Sequence, residues 1–552
     1  VTKLPTAEEI YVALAENGDN KTAAARQLGI HRQTLRELMV RLGMSTKPTT
    51  GGDVASRPLN KMLLPEQGKI KVYILTSAQN NTKVHKRFLD NLVIYRDYRM
   101  KDDRVESAAL MISRFTYNKT AFNNDWMVKP GTEPVGDDHG KVFYDPAISE
   151  YVCDDPALHG SCRYELAPDL WWCAEANILP TAVNPLSGRD SYAGTASAIF
   201  PHAKIALKSC DRMFEESPRI VLTTGACTQL NYIQRNAGQK AEFHHTYGAV
   251  VVEVNSDGHW WVRHINADRY GSFYDCPGGT VVYLSKNSDL TEGHATEAIN
   301  WGDVHASEID PIVEEVNWGV GGALDTLRPK HQLLHDFLSF RSQSHHERTK
   351  FGKRYLKWLR GKDIVEDEIV TTYNLLQKVH RPWCKTVVVN SNHDRHPDRW
   401  LDEADYKADL PNAKFFLRMQ LARVIAMETG DHWDFFKTCM QYLGDTKTRF
   451  LKKGESYKIG PAHHLVECGL HGDAGPNGAR GSTRNLARMG NRINKGHDHA
   501  ATILDGACSA GACQLNLDYN EGDPTNWSIS HILTYNNGKR TILTQRAGRL
   551  WA

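Results

Sequence analysis

Between residues 301 and 499, five short runs of aspartate, asparagine and histidine each close an apolar stretch, and this ordered series restricts the fold more than any other feature of the chain. In the first, Trp301-Gly-Asp-Val-His305, an extended backbone turns Asp303 and His305 to one side, so that an oxygen and an imidazole nitrogen can grip one cation. The second, Leu333-Leu-His-Asp336, ends in a carboxylate able to bridge two ions. The third, Thr386-Val-Val-Val-Asn-Ser-Asn-His-Asp394, follows an amphipathic helix expected over 363–378 and ends in Asn392, His393 and Asp394. Leu465-Val-Glu-Cys-Gly-Leu-His471 then delivers one imidazole ahead of a glycine turn, and Lys495-Gly-His-Asp-His499 sets His497 and His499 two residues apart on one side. A lone histidine at a strand end is ordinarily a hydrogen-bonded structural residue. Five clusters in order, at the strand ends where α/β folds place ligands, supply enough oxygen and nitrogen donors for two octahedral or five-coordinate ions.

That order, Asp-x-His, Asp, Asn-His-Asp, His and Gly-His-x-His, resembles the calcineurin-like metallophosphoesterase family over residues 298–552. The resemblance implies a metallophosphoesterase β-sandwich flanked by helices, with Asp303, His305 and His499 on one metal ion, Asn392, His471 and His497 on the other, and Asp336 bridging. It also implies that His393 contacts the scissile phosphate and protonates the leaving group, while Asp394 orients it. The family's second motif usually reads Gly-Asp-x-x-Asp, whereas His335-Asp336 stands in that place here; Asp325 is a rival, and the apolar approach Gln332-Leu-Leu favours Asp336. Two cations about 3.5 to 4 Å apart acidify a bridging water and neutralise the phosphoryl oxygens. Mixed oxygen and imidazole donors favour manganese first, with iron, zinc or magnesium as alternatives, over calcium.

At 552 residues the chain is too long for one core. Residues 1–47 read as a small all-α domain of three short helices, broken at Glu16-Asn-Gly-Asp19 and Gly29-Ile30, which resembles the Fis-like helix-turn-helix. Its last helix, from His31, would present Arg32, Gln33 and Arg36 to a DNA groove. Residues 48–68 read as a linker that begins in a Pro/Gly/Thr stretch, and 69–297 as a mixed α/β domain without an assignable role. The expected fold class is therefore α/β, with the sandwich preceded by that domain and the helix-turn-helix. No internal repeat is visible. Cys153, His159, Cys162 and Cys173 are spaced unlike any zinc ribbon or finger and read as buried thiols. Eleven scattered cysteines, no run of eighteen apolar residues and a polar N-terminal stretch lead to the expectation of reduced thiols, no membrane and a cytoplasmic location.

With 67 basic against 65 acidic residues, any surface for a polyanion must be local. The stretch 348–362 holds seven Lys or Arg and no acid, interleaved with Phe351, Tyr355 and Trp358. Arg480, Arg484, Arg488 and Arg492 recur every four residues, which on a helix would make one cationic ridge. Basic runs beside the metal clusters, joined to a DNA-type helix-turn-helix, make DNA the expected partner and a phosphodiester polymer the expected substrate. Leu333-Leu-His-Asp-Phe337 through His345-His346, Asn390-Ser-Asn-His-Asp394 and Gly496-His-Asp-His499 further resemble the family of pre-early host-DNA-degradation proteins of T5-type coliphages. A phosphomonoesterase or cyclic-nucleotide phosphodiesterase with a DNA-localising module, and a non-catalytic DNA-binding regulator, are the competing readings. Nuclease mode, strand preference and any homo-oligomeric state stay open.

Overall fold

β-Branched and aromatic residues crowd the run that opens the larger part of the chain, and Ile70–Gln79 accordingly forms a ten-residue strand buried on both faces. The computed structural model describes residues 5–17, 21–31, 34–35, 38–39, 59–117, 143–155, 159, 161–517, 520 and 522–552. Contacts divide the chain into two units, Val1–Pro58 with Ser191–Gly194, and Leu59–Asp190 with Thr195–Ala552.

In the smaller unit, helices Ala7–Glu16 and Lys21–Gln27 form, and Ala13, Ala24 and Ala25 let them close around Ile10, Leu14, Leu35, Leu38 and Met39. The groove-reading candidates Arg32, Gln33 and Arg36 lie outside the described residues, as does most of the expected linker.

The larger unit is built from mixed sheets. Ile70–Gln79 is joined through helix Lys86–Arg99 to the parallel strand Val105–Phe115, the crossover that parallel pairing requires. On its other side it pairs antiparallel with Gly248–Asn255, whose hairpin partner is Trp260–Asn266. A six-stranded sheet has the order Arg449–Phe450, Lys385–Val388, His331–Leu334, Thr296–Asn300, Ser530–Tyr535, Arg540–Thr544. An eleven-stranded sheet lies across both: Leu75, Val250 and Trp260 of the first sheet and Ile532 and Ile542 of the second share one core with its Leu170, Trp172, Ile199, Leu222 and Ile503. Helices Val365–Val379, Leu410–Thr429 and Phe435–Tyr442 cover the outer face of the six-stranded sheet. Segments 69–297 and 298–552, expected as separate domains, thus contribute strands to one sheet through the pairing of Leu207–Cys210 with Thr502–Leu504.

The reading of a chain without internal repeat is corrected by the strand pairing. Along the eleven-stranded sheet, Arg163–Ala167, Leu170–Cys173, Ser197–Phe200, Arg219–Thr223 and Leu207–Cys210 pair antiparallel, parallel, parallel and antiparallel. Lys458–Ile459, Val466–Glu467, Arg492–Lys495, Ala507–Ser509 and Thr502–Leu504 repeat that series. In the opposing sheets, Thr296–Asn300 has a parallel neighbour in His331–Leu334 and an antiparallel hairpin in Ser530–Tyr535 and Arg540–Thr544, as Ile70–Gln79 has in Val105–Phe115 and the 248–266 hairpin. The strands also follow one another along the chain in the same order in the two series.

Among the described residues no helix is long and apolar enough to cross a membrane. All eleven cysteines are buried and free, which includes Cys153, Cys162 and Cys173.

Candidate metal centre

The five polar clusters converge where the strands of the second series run out. Beyond Asn300 and Leu334 the two chains stay in register: the amides of Val304, His305 and Ala306 donate to the carbonyls of His335, Asp336 and Phe337 at 2.9–3.0 Å. That register brings Asp336 under His305, with His305 Nε2 at 3.8 Å from Asp336 Oδ2. His471 Nε2 lies 3.3 Å from the same carboxylate oxygen and donates to Asn392 Oδ1 at 3.1 Å. His499 Nε2 is 3.1 Å from Asp303 Oδ2 and 3.4 Å from His305 Nε2. Asp336, His471 and His497 offer ligand atoms within 4.8 Å of one another, as do Asp303, Asp336 and His499. The last cluster packs hard against the first. A Cβ on Gly496 would fall 2.2 Å from Asp303 Oδ1, so only glycine fits there.

The backbone is held against its preference at this place. His305, Asp336, His497 and His499 all take the left-handed conformation, with φ of 49°, 43°, 75° and 54°. Non-glycine residues rarely adopt it, at a cost on the order of 1–3 kcal/mol each, and such strain clusters at functional sites. Asp303 Oδ1, Asp336 Oδ1, His335 Nδ1 and His471 Nδ1 are buried and have no hydrogen-bond partner among the described residues. An unsatisfied buried carboxylate oxygen is costly, and this donor set of carboxylates, an amide oxygen and imidazoles is one that divalent cations satisfy. The residues present therefore fit divalent cations.

Electrostatics point the same way. Burial raises the Asp336 pKa, but the surrounding His471 and His393 hold the carboxyl well below its ordinary range. Burial lowers that of His471, yet the Asp336 carboxylate lifts it to about 9. His305 is driven well below 6.5 by burial and by His393, which leaves a neutral, ligand-competent imidazole. Its Nδ1 donates to Ser339 Oγ at 3.0 Å, and that hydroxyl donates onward to Glu308 Oε2 at 3.4 Å, which leaves Nε2 facing the cluster.

His393 lines the same cavity, of about 560 Å³, with Asp336, Asn392, His497, His499, Arg480 and Trp527. Its Nδ1 donates to the Ser339 carbonyl at 2.7 Å, and its Nε2 lies 3.9 Å from Asp336 Oδ2. The expectation that Asp394 orients His393 is corrected: Asp394 instead accepts the Ser391 amide at 2.7 Å, and burial together with Asp434 raises its pKa to about 8. Asp325 pairs with Arg381 at 2.5 Å, away from the cluster. The cationic ridge is also corrected. The helix spans only Thr483–Ala487, Arg488 caps it, and Arg492 opens a strand, so Arg484, Arg488 and Arg492 are exposed but share no helical face. Gly490 in the left-handed region breaks the periodicity between them. The basic stretch 348–362 forms the exposed helix Phe351–Leu359, where Lys357 pairs with Glu347 and Arg348 with Glu403, both at 2.7 Å. It borders a different cavity, with Ser342, Asp363 and Pro411. Sequence reasoning missed His335, Ser339, Lys208 and Trp527; His335 was legible beside Asp336, whereas the other three are brought in only by tertiary packing.

Fold and site together define a mixed α/β protein with a buried aspartate–histidine cluster of the kind that holds divalent cations. The chain is 34% identical over 501 residues to Protein A1 of Escherichia phage T5, an alignment covering 87% of this chain and 83% of that protein, and it belongs to the Protein A1 family. Residues 7–41 match the family described as bacterial regulatory protein, Fis family, a helix-turn-helix motif.

Proposed function

We propose that this chain is a metal-dependent deoxyribonuclease of the metallophosphoesterase type, hydrolysing phosphodiester bonds of host DNA in the cytoplasm of a phage-infected bacterium. The observation that carries the reading is the convergence of His305, His471, His497 and His499, with Asn392 against His471, on the carboxylates of Asp303 and Asp336, each of which has an unsatisfied oxygen. Asp303, His305 and His499 would hold one divalent cation and Asn392, His471 and His497 a second, with Asp336 between them; manganese fits first, then iron, zinc or magnesium. Divalent cations held there would supply an acidified water and a neutralising charge for the phosphoryl oxygens.

His393 supplies the remaining need, a proton for the leaving oxygen. Because the Ser339 carbonyl accepts from Nδ1, Nε2 is left toward the cavity and can carry the proton that is transferred. Arg480 adds a cation on the cavity wall for the phosphate backbone. The Fis-type module, through Arg32, Gln33 and Arg36, would tether the enzyme to duplex DNA, and Arg484, Arg488 and Arg492 would add exposed positive charge near the cleft. Support for DNA as substrate comes from that module and from the resemblance to host-DNA-degradation proteins. A plasmid-nicking assay across a metal panel tests the proposal. Manganese-dependent nicking abolished by chelator is expected; hydrolysis of p-nitrophenyl phosphate with no plasmid cleavage would overturn it.

A further inference from the structure

The two strand series can be superposed residue by residue through their shared pairings. Ser77 bridges Ala226 in parallel and its carbonyl accepts the Cys227 amide at 2.8 Å; Asp303 bridges Ala512 and its carbonyl accepts the Cys513 amide at 2.9 Å. Ala226 continues to Tyr247 as Ala512 does to Ile529. The sequence itself echoes here, Gly225-Ala-Cys-Thr-Gln-Leu-Asn231 against Gly511-Ala-Cys-Gln-Leu-Asn516. Ser77 and Gln79 thus stand where Asp303 and His305 stand. Asn80 donates to the Phe115 carbonyl as Ala306 does to that of Phe337, which sets Arg114 in the place of Asp336. Phe200 pairs with Thr223 as Lys495 does with Ser509, so His202 and Lys204 fall at His497 and His499. Counting on from the neighbouring strands puts Glu175 at His471. Asn392 follows a strand, Lys385–Val388, that has no counterpart among the described residues of the first series.

We infer that residues 59–267, the first copy, are a degenerate version of the framework of the second copy, residues 298–552, that holds no metal and serves as an in-chain partner, building one wall of the second copy's cleft and presenting Lys208 to the polyanionic substrate. Cations occupy two of the ligand places, and the carboxylates around them are engaged in ion pairs, Arg114 with Asp154 at 3.0 Å, Arg163 with Glu175 at 2.8 Å and Lys204 with Asp505 at 2.5 Å, so that the cavity of about 410 Å³ beside Arg114, Asp154 and Glu175 is lined by paired charges. His202 is turned inward, its Nδ1 accepting the Lys204 amide at 2.9 Å. The two copies meet edge to edge, Lys208 opposite Thr502, three residues past His499. That pairing is what carries Lys208 and Ser209 into the cavity lined by Asp336, His393, His497 and His499. Asp190 holds the Lys208 ammonium at 2.5 Å and raises the lysine's pKa, so it is a fixed cation on the cleft wall.

This inference rests on the metal reading of the second copy, and two measurements separate them. Manganese bound to the full chain is counted by elemental analysis after equilibrium dialysis, for the wild type and for a Glu175→Gln, His202→Gln double variant. Binding to a phosphorothioate-protected duplex is measured as a function of salt for wild type, Lys208→Gln and Lys208→Arg. Two ions per chain in both proteins are expected, with Lys208→Gln weakening the duplex roughly three- to tenfold, its salt slope shallower by about one, and Lys208→Arg restoring both. Four ions per chain, or ions lost in the double variant, would overturn the metal-free assignment while leaving the proposed nuclease centre standing. Unchanged duplex affinity and slope in Lys208→Gln would overturn the wall. No bound manganese in the wild type would sink the nuclease reading instead, and the Lys208 comparison would still decide the role of the first copy.

Discussion

One strand framework, used twice, treats its buried charges in opposite ways. In the first copy, Glu253 receives Arg99 at 2.6 Å and Arg263 at 2.9 Å, and Arg263 also grips Asp275 at 2.8 Å, all four side chains being buried and mutually satisfied. In the second copy, Asp303 and Asp336 each keep an oxygen without a partner, amid imidazoles on strained backbone. The contrast separates two uses of the same investment in buried polarity. A closed network fixes structure, whereas an open, strained one is poised for a ligand that completes it.

Breaking the open network is expected to have the largest effect. If the proposed centre is catalytic, His305→Ala or His499→Ala should lower DNA hydrolysis about 10³-fold or more and reduce bound metal, since each removes a proposed ligand. Circular dichroism should show the fold intact, and full activity in metal-replete buffer would refute the ligand roles. His393→Ala should retain both metals and lose about 10²- to 10³-fold in turnover, less on a diester with an activated phenolate that needs no proton. An equal loss on both substrates would mean that His393 positions the phosphate instead.

The closed network yields a stability effect and little chemistry of its own. Arg263→Ala leaves Glu253 with Arg99 and Asp275 with the Tyr95 hydroxyl as their remaining partners, and should cost about 3–5 kcal/mol in denaturant unfolding. Its pH signature has a definite sign. Burial raises the Glu253 pKa, but Arg263 and Arg99 outweigh it and depress the folded value below the ordinary 4.5. The stabilisation is therefore complete above about 4.5 and is lost as pH falls below it, so wild type should weaken on acidification more steeply than Arg263→Ala. Parallel acid profiles would show that the network is not what holds this copy together. The smallest effect belongs to Arg484, Arg488 and Arg492: separated on a short helix, a cap and a strand, they should together change duplex affinity less than Arg480→Gln alone, as measured by fluorescence anisotropy.

These contrasts also explain what the sequence makes legible. Asp303, His305, Asn392, His471, His497 and His499 stand out because each closes an apolar run, and such runs end at the same edge of a sheet whatever their order in space. Even the choice of Asp336 over Asp325 follows from the strand leading into it. The repeat is hidden for the opposite reason. Strand pairing constrains which residues alternate inward but not which they are, so two copies can share one order of pairings and echo each other in sequence only around Gly-Ala-Cys and Gln-Leu-Asn. The arginine periodicity misleads because four-residue spacing indicates a ridge only if the helix persists, and Gly490 ends that possibility. Asp394 was assigned by resemblance to a carboxylate that orients a histidine, but its burial and the Ser391 amide give it another neighbour, and the Ser339 carbonyl, 54 residues away in sequence, takes the role.

The central claim is that the second copy, and it alone, completes its open network with two cations. Anomalous diffraction at the manganese edge from crystals of the full chain grown with manganese tests it most directly. Two peaks are predicted, one against Asp303, His305 and His499 and the other against Asn392, His471 and His497, with Asp336 touching both and no density beside Glu175 and His202. A cluster without a peak, in which His471 and Asp336 remain paired through a proton, would contradict the account.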